Sequence, residues 1–117
     1  MKIPFMKAQG AGNDFIIVDK NVDFIRKSKK VIKRLCDRRF GVGCDQLILL
    51  KKISSYYQVT FYNSDGSLGK NCGNGLRCAY KFLVEVKKVK KAVIKTHKFL
   101  HFGKKTQKEY KINVGEV

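Results

Sequence analysis

The run Asn71-Cys72-Gly73-Asn74-Gly75-Leu76-Arg77-Cys78 leads from a polar loop into a helix expected over Gly75 to about Lys88. Within that helix Leu76, Ala79, Tyr80, Phe82, Leu83, Val84 and Val86 occupy more than one stripe, so it should be buried in the centre of a domain. Cys72 stands at the mouth of the helix. The first backbone N–H groups of a helix have no partner within it, and the helix dipole favours negative charge there. A thiol in that place has its thiolate stabilised, which suits a base or nucleophile near neutral pH. Gly73 and Asn74 can offer N–H groups to a carboxylate at the same spot.

The flanking segments read as an α+β domain. Tyr56 to Tyr62 is rich in aromatic and β-branched residues, and Asn63-Ser64-Asp65-Gly66-Ser67 then turns the chain. Gln46 to Leu50 is a buried-strand candidate, and Phe15 to Val18 is a short apolar strand. Between these two, Ser28 to Arg39 reads as a helix, with Val31, Ile32 and Leu35 at helical spacing and Gly41 able to end it. Strands are expected near Ala92 to Thr96, Lys98 to Phe102 and Glu109 to Val114. No repeat or linker interrupts the 117 residues, a length that fits one domain spanning 1–117.

Two more glycine-bearing loops place polar side chains beside flexible backbone. Gly10-Ala11-Gly12-Asn13-Asp14-Phe15 offers the amide of Asn13, and Arg39-Phe40-Gly41-Val42-Gly43-Cys44-Asp45-Gln46 delivers Gln46 to the head of a strand. The first loop is no dinucleotide fingerprint, because the third glycine would fall at Phe15 and no clear strand precedes it. Taken alone, it reads as an ordinary turn.

Other chemistries fail on spacing. A phosphate-binding loop ending at Gly69-Lys70 would need glycine where Ser64 stands and a hydroxyl where Asn71 stands. Structural zinc sites want cysteines two to four residues apart, whereas seven residues separate Cys36 from Cys44 and five separate Cys72 from Cys78. His97 and His101 could share one face of a strand, yet no carboxylates gather near them, so no metal is expected. A C-x-x-C redox motif is absent.

Composition bounds the partners. A formal charge of +17 raises nucleic-acid binding, but the lysines are dispersed from Lys2 to Lys111 and no aromatic RNA-binding motif accompanies them. A lysine-rich solvated surface is the simpler reading, with neither nucleic acid nor membrane as partner. Residues 1–10 lack the apolar stretch of a signal peptide and no run is long enough to span a bilayer. The expected compartment is the reducing cytoplasm, with the four cysteines as thiols.

Gly10 to Phe15, Gly41 to Gln46, and Asn63 to Ser67 followed by Cys72-Gly73-Asn74-Gly75-Leu76-Arg77-Cys78 together resemble, in order and spacing, the successive motifs of the diaminopimelate epimerase N-terminal domain. The resemblance runs up to Asn113-Val114-Gly115-Glu116. It implies a mixed sheet curled around a central helix, paired with a similar C-terminal domain that this chain does not contain. It further implies epimerisation of LL- to meso-diaminopimelate, in lysine and peptidoglycan-precursor biosynthesis, without pyridoxal phosphate or any other cofactor. Two cysteines on opposite faces of the α-carbon carry the reaction in the family, and Cys72 matches the first. Gly73 and Asn74 match the amides that hold the α-carboxylate, while Asn13, Gln46 and Asn63 match side chains that bind the substrate. The implied partners are the small-molecule substrate, the C-terminal half and, as an assembly, a homodimer.

Two positions depart from the family pattern. Gln9 stands where many relatives carry histidine, and Cys44 replaces a small or aromatic residue, as a packed thiol. Cys78 lies six residues beyond Cys72, facing elsewhere, and cannot act as the second base. The alternatives are an inactive remnant of the enzyme, or another pyridoxal-independent racemase or isomerase of the same fold.

Overall fold

In the computed structural model, which describes residues 3–10, 12–70, 73–97, 99–105 and 110–112, the central strands divide their side chains between two cores. Phe15 and Ile17 of β2 (Asn13–Val18), Ile48 and Leu50 of β3 (Gln46–Ile53), and Val59 and Phe61 of β4 (Tyr56–Asn63) face one side. Ile16, Val18, Leu47, Leu49 and Tyr62 face the other. Burial on both faces explains the unbroken apolar runs in β2 and β3, where a one-sided strand would alternate.

With β1 (Met6–Gly10), β5 (Lys91–Lys95), β6 (Leu100–Lys105) and β7 (Tyr110–Ile112), these strands form one seven-stranded sheet in sequential order. Two neighbouring pairs are parallel, β2 with β3 and β4 with β5, and the remaining pairs are antiparallel. Each parallel pair needs a crossover. The first runs through α1 (Val22–Arg26) and α2 (Lys29–Cys36), the second through α3 (Gly73–Glu85). Such crossovers are nearly always right-handed. Because the chain reverses between β3 and β4, right-handed crossovers must fall on opposite faces of the sheet. They do: Val22, Ile25, Ile32 and Cys36 fill one core, and Leu76, Ala79, Tyr80 and Leu83 the other.

The sheet curls around α3, whose core includes residues from β2, β3, β4 and β5. At β6 the approach is closest, since a Cβ on Gly103 would stand 2.5 Å from the Tyr80 ring. Tyr80 is fully buried and donates its hydroxyl hydrogen to the Lys90 carbonyl at 2.6 Å, while burial raises its pKa. The fold is therefore the expected α+β domain with a mixed sheet around a central helix. Among the described residues, no helix is long and apolar enough to cross a membrane.

Several boundaries differ from expectation. The helix after Ser28 stops at Cys36 rather than Arg39, because the Asp37 carboxylate accepts hydrogen bonds from the Arg39 and Phe40 amides at 2.8 and 2.9 Å. That local bonding competes with further helix. The central helix starts at Gly73 and ends at Glu85. Lys88 takes a left-handed conformation, φ 60°, and the Val89 amide bonds back to the Leu83 carbonyl, closing the helix before the expected end. A strand does run up to Gly10, namely β1, although it is only five residues long and mostly exposed. His97 and His101 do not share a strand face: β5 ends before His97, and His101 is buried on β6 with its Nε2 3.1 Å from the Thr96 hydroxyl. The strand expected to Val114 is seen as β7, and the motif at 113–116 lies outside the described residues.

Gly75 is where helix and sheet meet, since a Cβ there would lie 2.7 Å from Phe61 and 3.2 Å from Phe15. Glycine to alanine within a helix ordinarily gains about 0.5–1 kcal/mol, but overpacking costs about 1–3 kcal/mol. Gly75→Ala should therefore lower stability in urea unfolding. A gain would mean that the two rings can move aside.

Candidate active site at the start of the central helix

Asn13, Gln46 and Asn63 come to one place because each continues an apolar row of the α3-facing surface one step beyond the core. Asn13 precedes Phe15 and Ile17 by the two-residue period of β2. Gln46 stands likewise before Ile48 and Leu50, and Asn63 follows Val59 and Phe61. Strand register sets Phe15 beside Gln46 and Gln46 beside Asn63, so Asn13 stands two residues further out on β2. The apolar rows end in three amides at one end of the sheet.

Contacts fix the orientation of Gln46 and Asn63, while Asn13 stays exposed. Gln46 Nε2 donates to Asn63 Oδ1 at 3.3 Å, and Asn63 Nδ2 donates to the Ser67 hydroxyl at 3.1 Å. The Asn63 backbone amide bonds to the Ser67 carbonyl at 2.8 Å, and Asp65 accepts from both the amide and hydroxyl of Ser67, so the turn is internally tied. Those bonds hold the Asp65 carboxyl below its usual pKa. The chain then returns across the site. Gly69 bonds to the Phe61 carbonyl at 2.7 Å, and a Cβ on it would lie 2.9 Å from Gln46 Nε2 and 3.1 Å from Asn63 Oδ1.

The first turn of α3 lies over the same end. Gly75 sits against the rings of Phe61 and Phe15, one step inward from Asn63 and Asn13. Gly10, paired with Asn13 across the β1–β2 hairpin, packs close to Asn74: a Cβ on it would be 3.5 Å from Asn74 Cβ and 3.3 Å from Cys78 Sγ. Gly73 and Asn74 are half-buried at the helix start, where the first backbone N–H groups can donate to an anion. Cys72, the residue of greatest interest in the sequence, lies outside the described residues. Cys78 is directed toward β1, with its thiol 3.6 Å from the Gln9 carbonyl.

An ionic clamp beside the amides escaped the sequence reading. The Arg38 guanidinium donates to both oxygens of Asp14 at 2.9 and 2.8 Å and to Asp45 at 3.0 Å. Asp14 and Asp45 also exchange hydrogen bonds: the Asp14 amide donates to the Asp45 carboxylate at 3.0 Å, and the Asp45 amide to that of Asp14 at 2.8 Å. Since Asp14 adjoins Asn13 and Asp45 adjoins Gln46, the clamp locks the heads of β2 and β3 together. Arg38 is the largest cause holding the Asp14 carboxyl far below its usual range, assisted by the Asp45 amide and Lys7. Aspartate at 14 and 45 was legible in two of the motifs, but their shared arginine follows no spacing rule.

A polar cavity of about 360 Å³ opens beside this clamp, lined by Gln9, Gly12, Asn13, Asp14, Arg38 and Asp45. A more apolar one of about 510 Å³ runs from Gly69 along β4 to Phe99. It touches none of Asn13, Gln46, Asn63, Gly73 or Asn74, so the amide cluster, not that groove, is the candidate site.

Comparisons with known proteins bear on the family and the fold. The family model described as diaminopimelate epimerase matches residues 5–112. A diaminopimelate epimerase of Leptospira biflexa is 43% identical over 101 residues, covering 84% of this chain and 36% of that protein. One from Rickettsia akari is 36% identical over 119 residues, covering 99% of this chain and 44% of its own length. The chain thus spans less than half the length of these curated relatives. Among solved structures, a phenazine biosynthesis protein of the PhzF family from Enterococcus faecalis aligns with a TM-score of 0.71 at 12% identity, over 94% of this chain and 43% of that one. A methylitaconate-delta-isomerase aligns with a TM-score of 0.68 at 19% identity, over 88% of this chain and 34% of that one. Likenesses at that identity establish the shared fold.

The clamp gives the domain an acid-sensitive point. A carboxyl whose folded pKa is depressed contributes stability that is complete above its ordinary value, here 3.8, and is lost as the pH falls through the folded value. Urea midpoints should therefore drop as the pH falls from about 4 toward 2, and Asp14→Asn, already lacking that contribution, should drop less. Equal losses in the two proteins would mean that the clamp adds nothing to folding.

Proposed function

The chain belongs to the diaminopimelate epimerase family, and on that premise we propose that it supplies one half of a cofactor-independent, two-base epimerase converting LL- to meso-diaminopimelate. The observation carrying this reading is the convergence of Asn13, Gln46 and Asn63 on the start of α3. Inverting a stereocentre requires one group to remove the α-proton from one face and a second to return a proton from the other. Cys72 is the proposed first base. Its thiolate takes the proton, and the carbanion's charge spreads onto the α-carboxylate. Backbone N–H groups of Gly73 and Asn74 hold that carboxylate, where preorganised donors stabilise developing charge best.

Asn13, Gln46 and Asn63 then bind the amino-acid groups of the substrate. Neutral amides suit this task, since each supplies both a donor and an acceptor to a zwitterionic end. The second acid, on the opposite face, comes from a C-terminal half, and the complete enzyme serves lysine and peptidoglycan-precursor synthesis in the cytoplasm. The residues matched make up 36% and 44% of these two relatives' length, and the second acid is assigned to the part of such an enzyme that lies beyond them.

Three assays of LL-to-meso conversion test the reading. The chain alone should be inactive, addition of a family C-terminal domain should restore turnover, and Cys72→Ala should abolish it in the mixture. Turnover by the chain alone refutes the half-enzyme, and activity surviving Cys72→Ala refutes the catalytic assignment.

A bulky maleimide should also label Cys72 faster than Cys36, Cys44 or Cys78, each of which is at least nine-tenths buried. Peptide mapping by mass spectrometry reads the order. Labelling at Cys72 no faster than at the buried thiols would remove the case for a tuned base.

A further inference from the structure

Two thiols unused by the proposed reaction face each other beside the clamp. Cys36 closes α2 and Cys44 precedes β3, and their sulfurs are 3.5 Å apart. Main-chain bonds hold the two segments side by side, from the Gly43 amide to the Leu35 carbonyl at 3.0 Å and from the Cys44 amide to the Cys36 carbonyl at 3.2 Å. Gly43 has φ +86°, and a Cβ there would collide with Arg38, so the return of the chain is built to this shape. A disulfide needs the sulfurs at about 2.05 Å, a closure of roughly 1.5 Å from the observed 3.5 Å.

Cys36 also lines an open cavity of about 560 Å³ ringed by Lys30, Lys33, Arg34 and Arg38. Each thiol is itself only 2% exposed. A small neutral oxidant can enter where a bulky reagent cannot.

We propose that Cys36 and Cys44 form a peroxide-oxidisable dithiol site, converted reversibly to a disulfide that closes the loop from Asp37 to Gly43. The Cys36 thiolate attacks a peroxide oxygen, and the O–O bond breaks. Cys36 becomes a sulfenic acid while hydroxide or alkoxide leaves and takes up a proton. Cys44 sulfur then attacks the Cys36 sulfur, and the S–O bond breaks, with water leaving. In sum two thiols lose two electrons and two protons, and one hydrogen peroxide becomes two waters.

The roles follow from the contact, since the Cys44 thiol donates its hydrogen to Cys36 sulfur. That bond is the largest cause lowering the Cys36 pKa, whereas the same contact and burial push Cys44 upward. Cys36 is therefore the attacking sulfur and Cys44 the resolving one. The closed loop carries Arg38, which braces Asp14 and Asp45 next to Asn13 and Gln46. Any effect on catalysis rests on the epimerase reading, but the thiol chemistry does not.

The experiment treats the reduced, folded chain with hydrogen peroxide, blocks remaining thiols with N-ethylmaleimide and maps tryptic peptides. Cleavage after Arg34, Arg38, Arg39 and Lys51 isolates residues 35–38 and 40–51, each with one cysteine. The expected product is these two peptides joined, two hydrogens lighter than their sum, and separated again by dithiothreitol. In Cys44→Ser, dimedone should trap the sulfenic acid on Cys36, and in Cys36→Ser the joined peptide should vanish and Cys44 should resist peroxide. Circular dichroism checks that each variant folds, and the wild-type map decides if one does not. Oxidation of Cys72 or Cys78 with the 35–38 and 40–51 peptides left unjoined overturns the proposal, as does a sulfinate on Cys36 in place of the disulfide.

Discussion

Everything in this domain hangs on how closely the start of α3 can approach the sheet. Gly75 rests against Phe61 and Phe15, with less than 3 Å between a would-be Cβ and the nearer ring. Two consequences follow from one missing side chain. The helix axis drops far enough for Leu76, Ala79 and Leu83 to be fully buried. Its first turn also reaches the level where the apolar rows of β2, β3 and β4 end. A bulkier residue would lift that turn and part the helix amides from Asn13, Gln46 and Asn63. Gly10 and Gly103 make similar allowances against Asn74 and Tyr80, so the sheet can curl around one helix from β1 to β6.

The charges near this end are arranged to cancel locally. Arg38 is taken up by Asp14 and Asp45, and Lys7 also pairs with Asp14 at 3.2 Å. Surface ion pairs of this kind contribute little singly. Here the geometry is bidentate and reciprocal with backbone amides, so its chief effect is to fix the spacing between the heads of two parallel strands. Those heads have no hairpin to set their register, because a crossover of two helices separates them in sequence. The clamp supplies the local tie that a tight turn supplies in an antiparallel pair.

What the sequence disclosed, and what it hid, follows from the range of each interaction. β2, β3 and β4 were legible as the apolar or aromatic runs that burial on two faces produces, and α3 as apolar residues at helical spacing on more than one stripe. The amides Asn13, Gln46 and Asn63 were legible through motif resemblance, and the two-residue period then explains why they converge. β1 was not legible: Met6, Lys7, Ala8, Gln9 and Gly10 form a five-residue edge strand with mostly exposed side chains, and so short an apolar–polar alternation is too weak a signal. α1 was missed for a different reason, since its five residues make little more than one turn and follow Asn21 in a left-handed conformation. The early end of α2 depends on the Asp37 side chain, and the burial of His101 on its pairing with Thr96. Neither leaves a periodic trace.

The neutrality of the amide cluster bears on how a thiol at position 72 could be tuned. With Arg38 committed to two carboxylates, Asn13, Gln46 and Asn63 bring dipoles without net charge to the site. In the proposed reaction the main bias on the thiolate then comes from the N–H groups that open α3. Such a bias is modest, which suits a base that must also release its proton. A neighbouring lysine or arginine would stabilise the thiolate more strongly, but would leave it a poor base for an α-proton, because basicity falls with pKa. In that proposed reaction the same amides hold the substrate's carboxylate, so proton removal and charge stabilisation draw on one set of fixed dipoles. In the proposed reaction, a helix start seated by glycine, with amides beside it and the nearby arginine tied to two carboxylates, serves both parts of that step.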